Sequence, residues 1–511
     1  MINSDFHLVD TDAGVWVLHA QSHRLYPVRE DVAGEVRSRL ADRQDDGGAL
    51  LALLARTNPG ERPPANRHRL RMAKPEDGAP LAINVNLTST CNLGCTYCFA
   101  DGGDYGRITG RLNSGSDVDD ILAFARSRSR PGDTVRFEFF GGEPMLNFEV
   151  IETLCHRART LGDEGRRIRH RISTNLTTAL SDRELTLFDQ FGFTVSVSID
   201  GGEATHDRNR PNKGGRGSFR TVIGNCDRVR RHSDTITLVA RMTYVPLPGT
   251  SLLEDIRALH ARNIFDWFQV LPANLTEQSA AAVIAGDGGG LTTRAVLEAA
   301  PDRIDAEYEN LSTAYPRLFQ DGNRFRGLLE IELLTRMILK GEIANGHCSA
   351  GRRYFTLSPD RSVMPCHRLV GNQDFQLAVA DTPVDEDRLA PWRRSVDDTP
   401  ACAGCPIRYL CAGGCKQENL VATGQLDRPD PRKCRFQFRL VDTAVRAIAA
   451  GGAAYRDRDR SPLADLFVSC GRPVLSSGDR TEVFSAPGTR PATPHLPADF
   501  PDTLLPTRKS I

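Results

Sequence analysis

The stretch NLTSTCNLGCTYCFA, residues 86–100, sets Cys91, Cys95 and Cys98 apart by three and then two residues, just after an apolar segment that reads as a strand. Three thiolates can hold three irons of a four-iron cluster and leave the fourth iron open to another ligand. A structural zinc site asks for four ligands, usually in two pairs, and only three cysteines stand here. The aromatic Tyr97 before the last cysteine adds to the pattern.

Working outward, a strand–helix rhythm follows. Ala82–Leu87, Val135–Phe140, Ile168–Ser173, Thr194–Ile199, Ile236–Met242 and Trp267–Leu271 read as strands. Between them, 117–127, 148–160, 182–190, 219–231 and 251–261 have helical spacing. Ser181 with Glu184 and Ser251 with Glu254 fit capping boxes at two helix starts. Such alternation predicts an α/β fold with a parallel sheet, and six units suit a partial barrel. The expected organisation is a small N-terminal module over 1–60, a linker over 61–80, the barrel over 81–275, a helical bridge over 276–345, a cysteine-rich domain over 346–445 and a largely disordered tail over 446–511.

Composition narrows the function classes. Lys plus Arg and Asp plus Glu each total 65, so there is no net charge of the kind that draws nucleic acid or an anionic membrane. No apolar run reaches membrane-spanning length. The N-terminus lacks the basic and apolar regions of a secretory signal, which predicts a cytoplasmic protein. In a reducing compartment, clustered cysteines point to metal ligation rather than disulfides. Of 13 cysteines, Cys155, Cys226 and Cys470 stand alone and read as ordinary thiols.

CNLGCTYC resembles the signature of the radical S-adenosylmethionine (SAM) superfamily, whose fold is a partial (β/α)6 TIM-like barrel. The resemblance implies that SAM chelates the open iron through its amino and carboxylate groups. Reductive cleavage of SAM would then give methionine and a 5′-deoxyadenosyl radical. Further positions match in chain order. Gly141-Gly142-Glu143-Pro144 resembles the family motif that contacts the SAM amino group, Asn175 its counterpart after the third strand, and Ser198 and Arg210 further SAM contacts. The Arg suits a carboxylate. Arg241 on the fifth strand is an additional candidate, with a structural ion pair as the alternative. No catalytic residue is singled out.

A second group follows: Cys348, Cys366, Cys402, Cys405, Cys411, Cys415 and Cys434. It resembles the SPASM domain, a C-terminal iron–sulfur extension of radical SAM enzymes that mostly modify peptides or proteins. The resemblance assigns Cys348, Cys366 and Cys415 to a first auxiliary cluster. Cys402, Cys405, Cys411 and Cys434 go to a second, making three [4Fe-4S] clusters in all. No eighth cysteine precedes Cys348, so the first auxiliary cluster has an open iron, His347 or a substrate group in that place. Arg361 stands where the family usually has glycine.

Anaerobic sulfatase maturases of this class carry Asp directly after the second of these cysteines; here it is His367, in PCHRLVG. That stretch and CFADGGDYG are instead similar to maturases of ribosomally made peptides, which install thioether or carbon–carbon cross-links. VWVLHAQSHRLYPVREDVAGEV resembles a PqqD-like winged-helix element that grips a leader peptide, the alternative being a packing domain. The implied function is a cytoplasmic, oxygen-sensitive peptide maturase. It would take a precursor peptide with a leader and an electron donor such as flavodoxin or ferredoxin. The rival readings are oxidation of Ser or Cys in a protein, as sulfatase maturases perform, and a non-catalytic iron–sulfur protein that binds a peptide.

Overall fold

The computed structural model describes residues 5–20, 23–41, 48–58, 80–105, 108–285, 291–319, 322–344, 346–460, 463 and 474–475. At the N-terminus, Phe6–Thr11 (β1), Gly14–His19 (β2) and Arg24–Val28 (β3) form an antiparallel sheet in that order. Glu30–Ala41 (α1) and Gly48–Thr57 (α2) follow. Phe6, Val17, Tyr26, Val36, Leu50, Leu53 and Leu54 form a small core of their own. In the sequence alone Val15–His19 and His23–Val28 have the pattern of strands and Asp31–Leu40 and Gly48–Ala55 that of helices, matching β2, β3, α1 and α2, whereas β1 was not anticipated. The module is not free-standing, because Val9 and Leu18 join the main core. Asp5 pairs with Arg408 at 2.7 Å and His7 with Asp442 at 2.6 Å. The expected linker lies outside the described residues except for Pro80.

Six strands then run parallel, each beside the next: Leu81–Asn86 (β4), Thr134–Phe140 (β5), Arg167–Thr174 (β6), Thr194–Ser198 (β7), Thr237–Tyr244 (β8) and Trp267–Pro272 (β9). The intervening helices are Ser116–Ser127 (α3), Phe148–Arg157 (α4), Arg159–Asp163 (α5), Asp182–Gln190 (α6), Glu203–Asn209 (α7), Phe219–His232 (α8) and Leu252–His260 (α9). All six strands expected from the sequence are present; α7 was not anticipated. Ser181 and Glu184 make the reciprocal capping box. Ser251 makes only its own half, accepting from the Glu254 N–H, while the Glu254 carboxylate turns to Arg257 at 2.8 Å.

The strands divide by parity. Ile83, Val85, Phe137, Phe139, Ile172, Val195 and Val197 are buried in the main core, the apolar face expected under a layer of helices. The alternate positions Asn84, Asn86, Arg136, Glu138, Arg171 and Ser196 are buried and polar. A parallel sheet packed on both faces would be apolar at both parities, so the second face lines the interior of the open barrel.

Glu277–Ala285 (α10), Thr293–Ala314 (α11) and Leu329–Lys340 (α12) follow the sixth barrel strand. Ile343–Ala344 (β10) leads on to three short strands, Tyr354–Leu357 (β11), Ser362–Met364 (β12) and Ala378–Val379 (β13). β11 joins β4 in parallel, so one sheet of nine strands runs β13-β12-β11-β4-β5-β6-β7-β8-β9. The sequence reading ended that sheet at six strands. Strands of two to four residues are too short to show a periodicity of their own. Glu386–Arg393 (α13), Arg408–Cys411 (α14), Lys416–Thr423 (α15) and Pro431–Arg456 (α16) complete the main body. Val474–Leu475 (β14) pairs with β10.

The helix α16, kinked at Gly452 where φ is +57°, carries the chain past residue 446 to Arg456, within the range expected from the sequence to be a largely disordered tail. The proline-rich stretch after 484 and Cys470 lie outside the described residues. Buried Glu332 holds this end of the chain. Its carboxylate accepts from the Tyr315 and Tyr455 hydroxyls at 2.6 Å each and from Arg460 at 2.8 Å. Glu332→Ala leaves the Arg460 charge buried and unpaired. Urea denaturation is expected to show a loss of about 3–5 kcal/mol, the range found when one partner of a buried ion pair is removed.

Candidate active site

The loop after β4 carries Cys91, Cys95 and Cys98, and three backbone segments fix it. Its start is zipped to the turn after β5: Gly142 N–H donates to Thr88 O at 2.8 Å and Glu143 N–H to Thr90 O at 2.9 Å. A Cβ at Gly142 would sit 2.2 Å from Thr90 O, and one at Gly141, where φ is +137°, 2.6 Å from Asn86 Oδ1. Glycine is needed at both for the chains to approach this closely. The middle of the loop is bonded to the segment after α7, through Gly94 N–H to Pro211 O at 2.8 Å and Thr96 N–H to Asn209 O at 3.0 Å. This brings Arg210 beside Cys95, with Nη1 3.9 Å from the sulfur. The third segment follows β6: Asn175 Nδ2 lies 3.7 Å from the Cys91 sulfur and 2.8 Å from Asn92 Oδ1.

Glu143 is buried. It accepts from Met145 N–H at 3.0 Å, the Thr174 hydroxyl at 2.6 Å and Asn175 N–H at 2.7 Å. Burial pushes its carboxyl up to about 7 against the pull of those three bonds. Pro144 opens the short turn Pro144–Asn147 that follows. Ser198 ends β7, opposite Arg241 in β8.

Asp200, which the sequence reading passed over, is the junction of this region. Its carboxylate accepts from the Tyr97 hydroxyl at 2.5 Å and Thr243 N–H at 2.9 Å, and pairs with Arg210 Nη2 at 3.0 Å. The Arg210 guanidinium also lies over the Tyr97 ring, 5.2 Å from its centre. Burial alone would lower the Arg210 pKa, but Asp200, Tyr97 and Cys95 outweigh it and hold the guanidinium charged. The one available signal was an acidic residue at the end of a barrel strand, where such folds place functional side chains.

Residues 85–258 match the model of the radical SAM superfamily. The chain carries a radical SAM domain. Among curated relatives, a serine-type anaerobic sulfatase-maturating enzyme of Klebsiella aerogenes is 23% identical over 67% of this chain and 81% of its own length. The PqqA peptide cyclase of Xanthomonas oryzae pv. oryzae is 24% identical over 69% of this chain and 87% of its own. A solved structure of anSMEcpe with bound AdoMet superposes with a TM-score of 0.60 and 18% identity, covering 77% of this chain and 99% of that one. Another structure of that protein holds AdoMet and a Cp18Cys peptide, with a TM-score of 0.57.

The residues of this radical SAM enzyme fit a three-cysteine cluster with SAM beside it. Desolvation of the half-buried Cys95 thiol pushes it up to about 12 and disfavours a bare thiolate. Arg210 Nε is buried and has no hydrogen-bond partner, an outstanding donor beside Cys95 suited to a carboxylate.

The seven later cysteines assemble into two neighbourhoods. Cys366 feels the charges of Cys415 and Cys348, and Cys402 those of Cys411, Cys405 and Cys434. Burial is the largest influence on each and raises it. Among the described residues, no three His, Cys, Asp or Glu side chains are placed to hold a single metal ion. Arg361, whose presence in place of glycine put the local turn in question, adopts a left-handed backbone with φ +62° and pairs with Asp120 and Asp381. His347 Nδ1 lies 2.9 Å from Cys411 O, toward the other neighbourhood. Cys155 and Cys226 are buried away from both.

The two cysteine regions meet through aromatic rings. Phe99 follows Cys98, Phe140 precedes Gly141 and His367 follows Cys366. The His367 ring lies 5.0 Å from Phe140 and 5.9 Å from Phe99, which is 46% exposed. His367 Nδ1 bonds the Tyr354 hydroxyl at 2.7 Å. The Asp200→Asn variant leaves the buried Arg210 charge without its counter-ion. Chemical denaturation is expected to show a loss of roughly 3–5 kcal/mol, against an unchanged value for exposed Asp182→Asn.

Proposed function

We propose that this radical SAM enzyme is a maturase of peptide or protein substrates, and that it installs an intramolecular thioether or carbon–carbon cross-link in a ribosomally made precursor. The observation that carries the reading is the meeting of the Cys98–Phe99 loop, the glycine turn and the Cys366–His367 segment at one end of the barrel. A substrate there lies within reach of both cysteine regions. The named relatives are maturases and a peptide cyclase, which supports a peptide or protein substrate.

In this reading Cys91, Cys95 and Cys98 hold a [4Fe-4S] cluster, and Gly141, Gly142, Glu143, Pro144, Asn175, Ser198 and Arg210 bind SAM. Cys348, Cys366 and Cys415 serve a first auxiliary cluster and Cys402, Cys405, Cys411 and Cys434 a second, within a SPASM-type domain. When bound, SAM and its cluster supply the one-electron chemistry that removes a hydrogen atom from the substrate. The protein's own residues orient that step. Arg210, kept charged by Asp200, offers Nε to the SAM carboxylate. Glu143, anchored by three donors, faces the amino end. Phe99, Phe140 and His367 form an aromatic wall against which the substrate would lie. The three-stranded module has β3 at its outer edge and is suited to accept a leader peptide as an added strand. Flavodoxin or ferredoxin would supply electrons.

A second reading, oxidation of Ser or Cys to an aldehyde, draws on the sulfatase-maturating relatives. His367 stands where those enzymes carry Asp. Mass spectrometry of a short precursor peptide, sought among the reading frames that neighbour this chain's gene and co-expressed with the enzyme, decides between them. A cross-link removes a pair of hydrogens and leaves a gap in the fragment ions; an aldehyde gives a hydrazide adduct and no gap. Reaction of a leaderless peptide is expected to be at least about tenfold slower, since remote binding energy presents the reacting segment.

Anaerobically reconstituted protein is expected to hold about twelve irons, and Cys91→Ala/Cys95→Ala/Cys98→Ala about eight, since four-iron clusters are held by thiolates. Stoichiometric zinc without iron–sulfur absorption overturns the assignment. Arg210→Ala is expected to weaken SAM binding about tenfold or more, because a charge-assisted hydrogen bond contributes roughly 1.5–3 kcal/mol. Equilibrium dialysis measures this at constant iron content.

A further inference from the structure

The nine-stranded sheet ends at β9; among the described residues no further strand pairs with this open edge, and the segment that leads into α12 lies against it at Phe268. Phe268 N–H donates to Gly327 O at 3.1 Å, and Leu328 bridges back to Phe268. Glu330 then stands in the first turn of α12. Its Oε2 accepts from Val270 N–H at 3.3 Å, and Gln269 bonds the same carboxylate. Its Oε1 is buried and has no partner, and neither has Gln269 Oε1 beside it.

The level in the barrel is telling. Strand register aligns Ser198, Arg241 and Gln269 across β7, β8 and β9, so Glu330 lies at the height of the serine assigned to SAM. Arg241 acts electrostatically on both Glu330 and His367, which ties the carboxylate to the junction of the two cysteine regions. A carboxylate serving only to cap the β9 edge would have both oxygens satisfied. This one keeps a buried oxygen with no partner.

We propose that Glu330 is the proton acceptor of the substrate oxidation, a catalytic carboxylate at the open edge of the barrel. The inference rests on the cross-linking reading and names the group that completes it. Joining two substrate positions removes a pair of hydrogens. One leaves a carbon as a hydrogen atom in the SAM-dependent step. Where the partner is a thiol, its S–H bond breaks heterolytically, the proton passes to Glu330 Oε1, and the thiolate sulfur bonds to the carbon that lost its hydrogen atom. Where the partner is an aromatic ring carbon, the carbon radical adds to the ring first and the ring C–H proton then passes to Glu330 Oε1. In both cases the single surplus electron would go to an oxidised iron–sulfur cluster held by the later cysteines.

The electrostatics suit this role. Burial raises the Glu330 carboxyl to about 7, with its hydrogen bonds and Arg241 pulling the other way. The other titratable group facing it is Tyr308 of α11, whose hydroxyl donates to Val270 O at 3.1 Å and is held neutral by burial. A group poised near neutrality can take a proton and release it within one turnover. Only the ionised carboxylate accepts, so modification rises as pH increases through about 7.

The test compares full-length wild type, Glu330→Gln and Glu330→Asp, each reconstituted, with a short leader-bearing precursor peptide rich in Cys and aromatic residues as probe. SAM cleavage, cross-linked product and the carboxyl infrared band are followed from pH 5.5 to 8.5. The expected result for Glu330→Gln is SAM cleavage near the wild-type rate, product formation lower by about 10²–10⁴-fold, the range for loss of a general base, and no pH dependence near 7. Two buried carboxyls, Glu143 and Glu330, titrate near pH 7 in the wild type; the protonated-carboxyl band should lose one of these two contributions in Glu330→Gln and keep that of Glu143, and Glu330→Asp should recover part of the product. Equal product formation by Glu330→Gln, or an unchanged pH profile, overturns the role of Glu330 while leaving the maturase reading intact. Absence of any cross-link with wild type overturns that reading and this inference together. A Glu330→Gln protein that loses iron or SAM cleavage along with product marks the carboxylate as structural and overturns the proposal.

Discussion

The buried Asp200 carboxylate is the constraint on which the rest of the site depends. It draws the Tyr97 hydroxyl, the Arg210 guanidinium and the Thr243 backbone N–H to one point. Those groups belong to the cysteine loop, the segment after α7 and β8. A buried anion without partners is costly, so the three elements converge to satisfy it. The convergence sets Arg210 beside Cys95 and leaves its Nε as an outstanding donor. On the other side of the loop, backbone bonds between Thr88–Thr90 and Gly142–Glu143 supply the matching restraint, and the two glycines are what make that distance possible.

The barrel face that carries this site is polar where parallel sheets are usually apolar. Arg136, Glu138, Arg171 and Ser196 are buried along one parity while valine, isoleucine and phenylalanine fill the other. Arg171 spends its guanidinium on the Ser196 hydroxyl at 2.9 and 3.1 Å, and Arg136 approaches Glu138 at 3.6 Å. Such an interior trades stability for chemistry: it keeps charges in a low-dielectric space where each has a large effect on what is bound. The free edge of β9 opens that space, and Glu330 stands there.

The later cysteine segment and the N-terminal module are held to the barrel by different means. β11 extends the barrel sheet itself, so the segment from Cys348 to Cys366 is fixed by main-chain bonds to β4. The N-terminal module is attached by side chains, Asp5 to Arg408 beside the Cys405 carbonyl and His7 to Asp442 on α16. Arg439 and Arg446 bind Asp305 and Glu309 of α11, tying α16 to the helices that cover β9.

The sequence by itself determined the six parallel strands, most of the helices between them and the identity of every clustered cysteine. Those features are local: a strand, a helix face and a CxxxCxxC spacing each show within a dozen residues. It also placed Gly141 to Glu143 and Arg210 in order along successive strands. Only the tertiary structure decided the rest. Residue 200 is an ordinary aspartate in the chain and becomes the junction because three distant segments bring donors to it. β11 to β13 are too short for a pattern and exist because β4 offers an edge. Glu330 reads as one more acidic residue in a helical first turn; the open edge of β9, sixty residues earlier, decides that one of its oxygens is buried and unpaired. Each of these outcomes depends on long-range pairing and on the cost of burying polar groups, which no local pattern encodes.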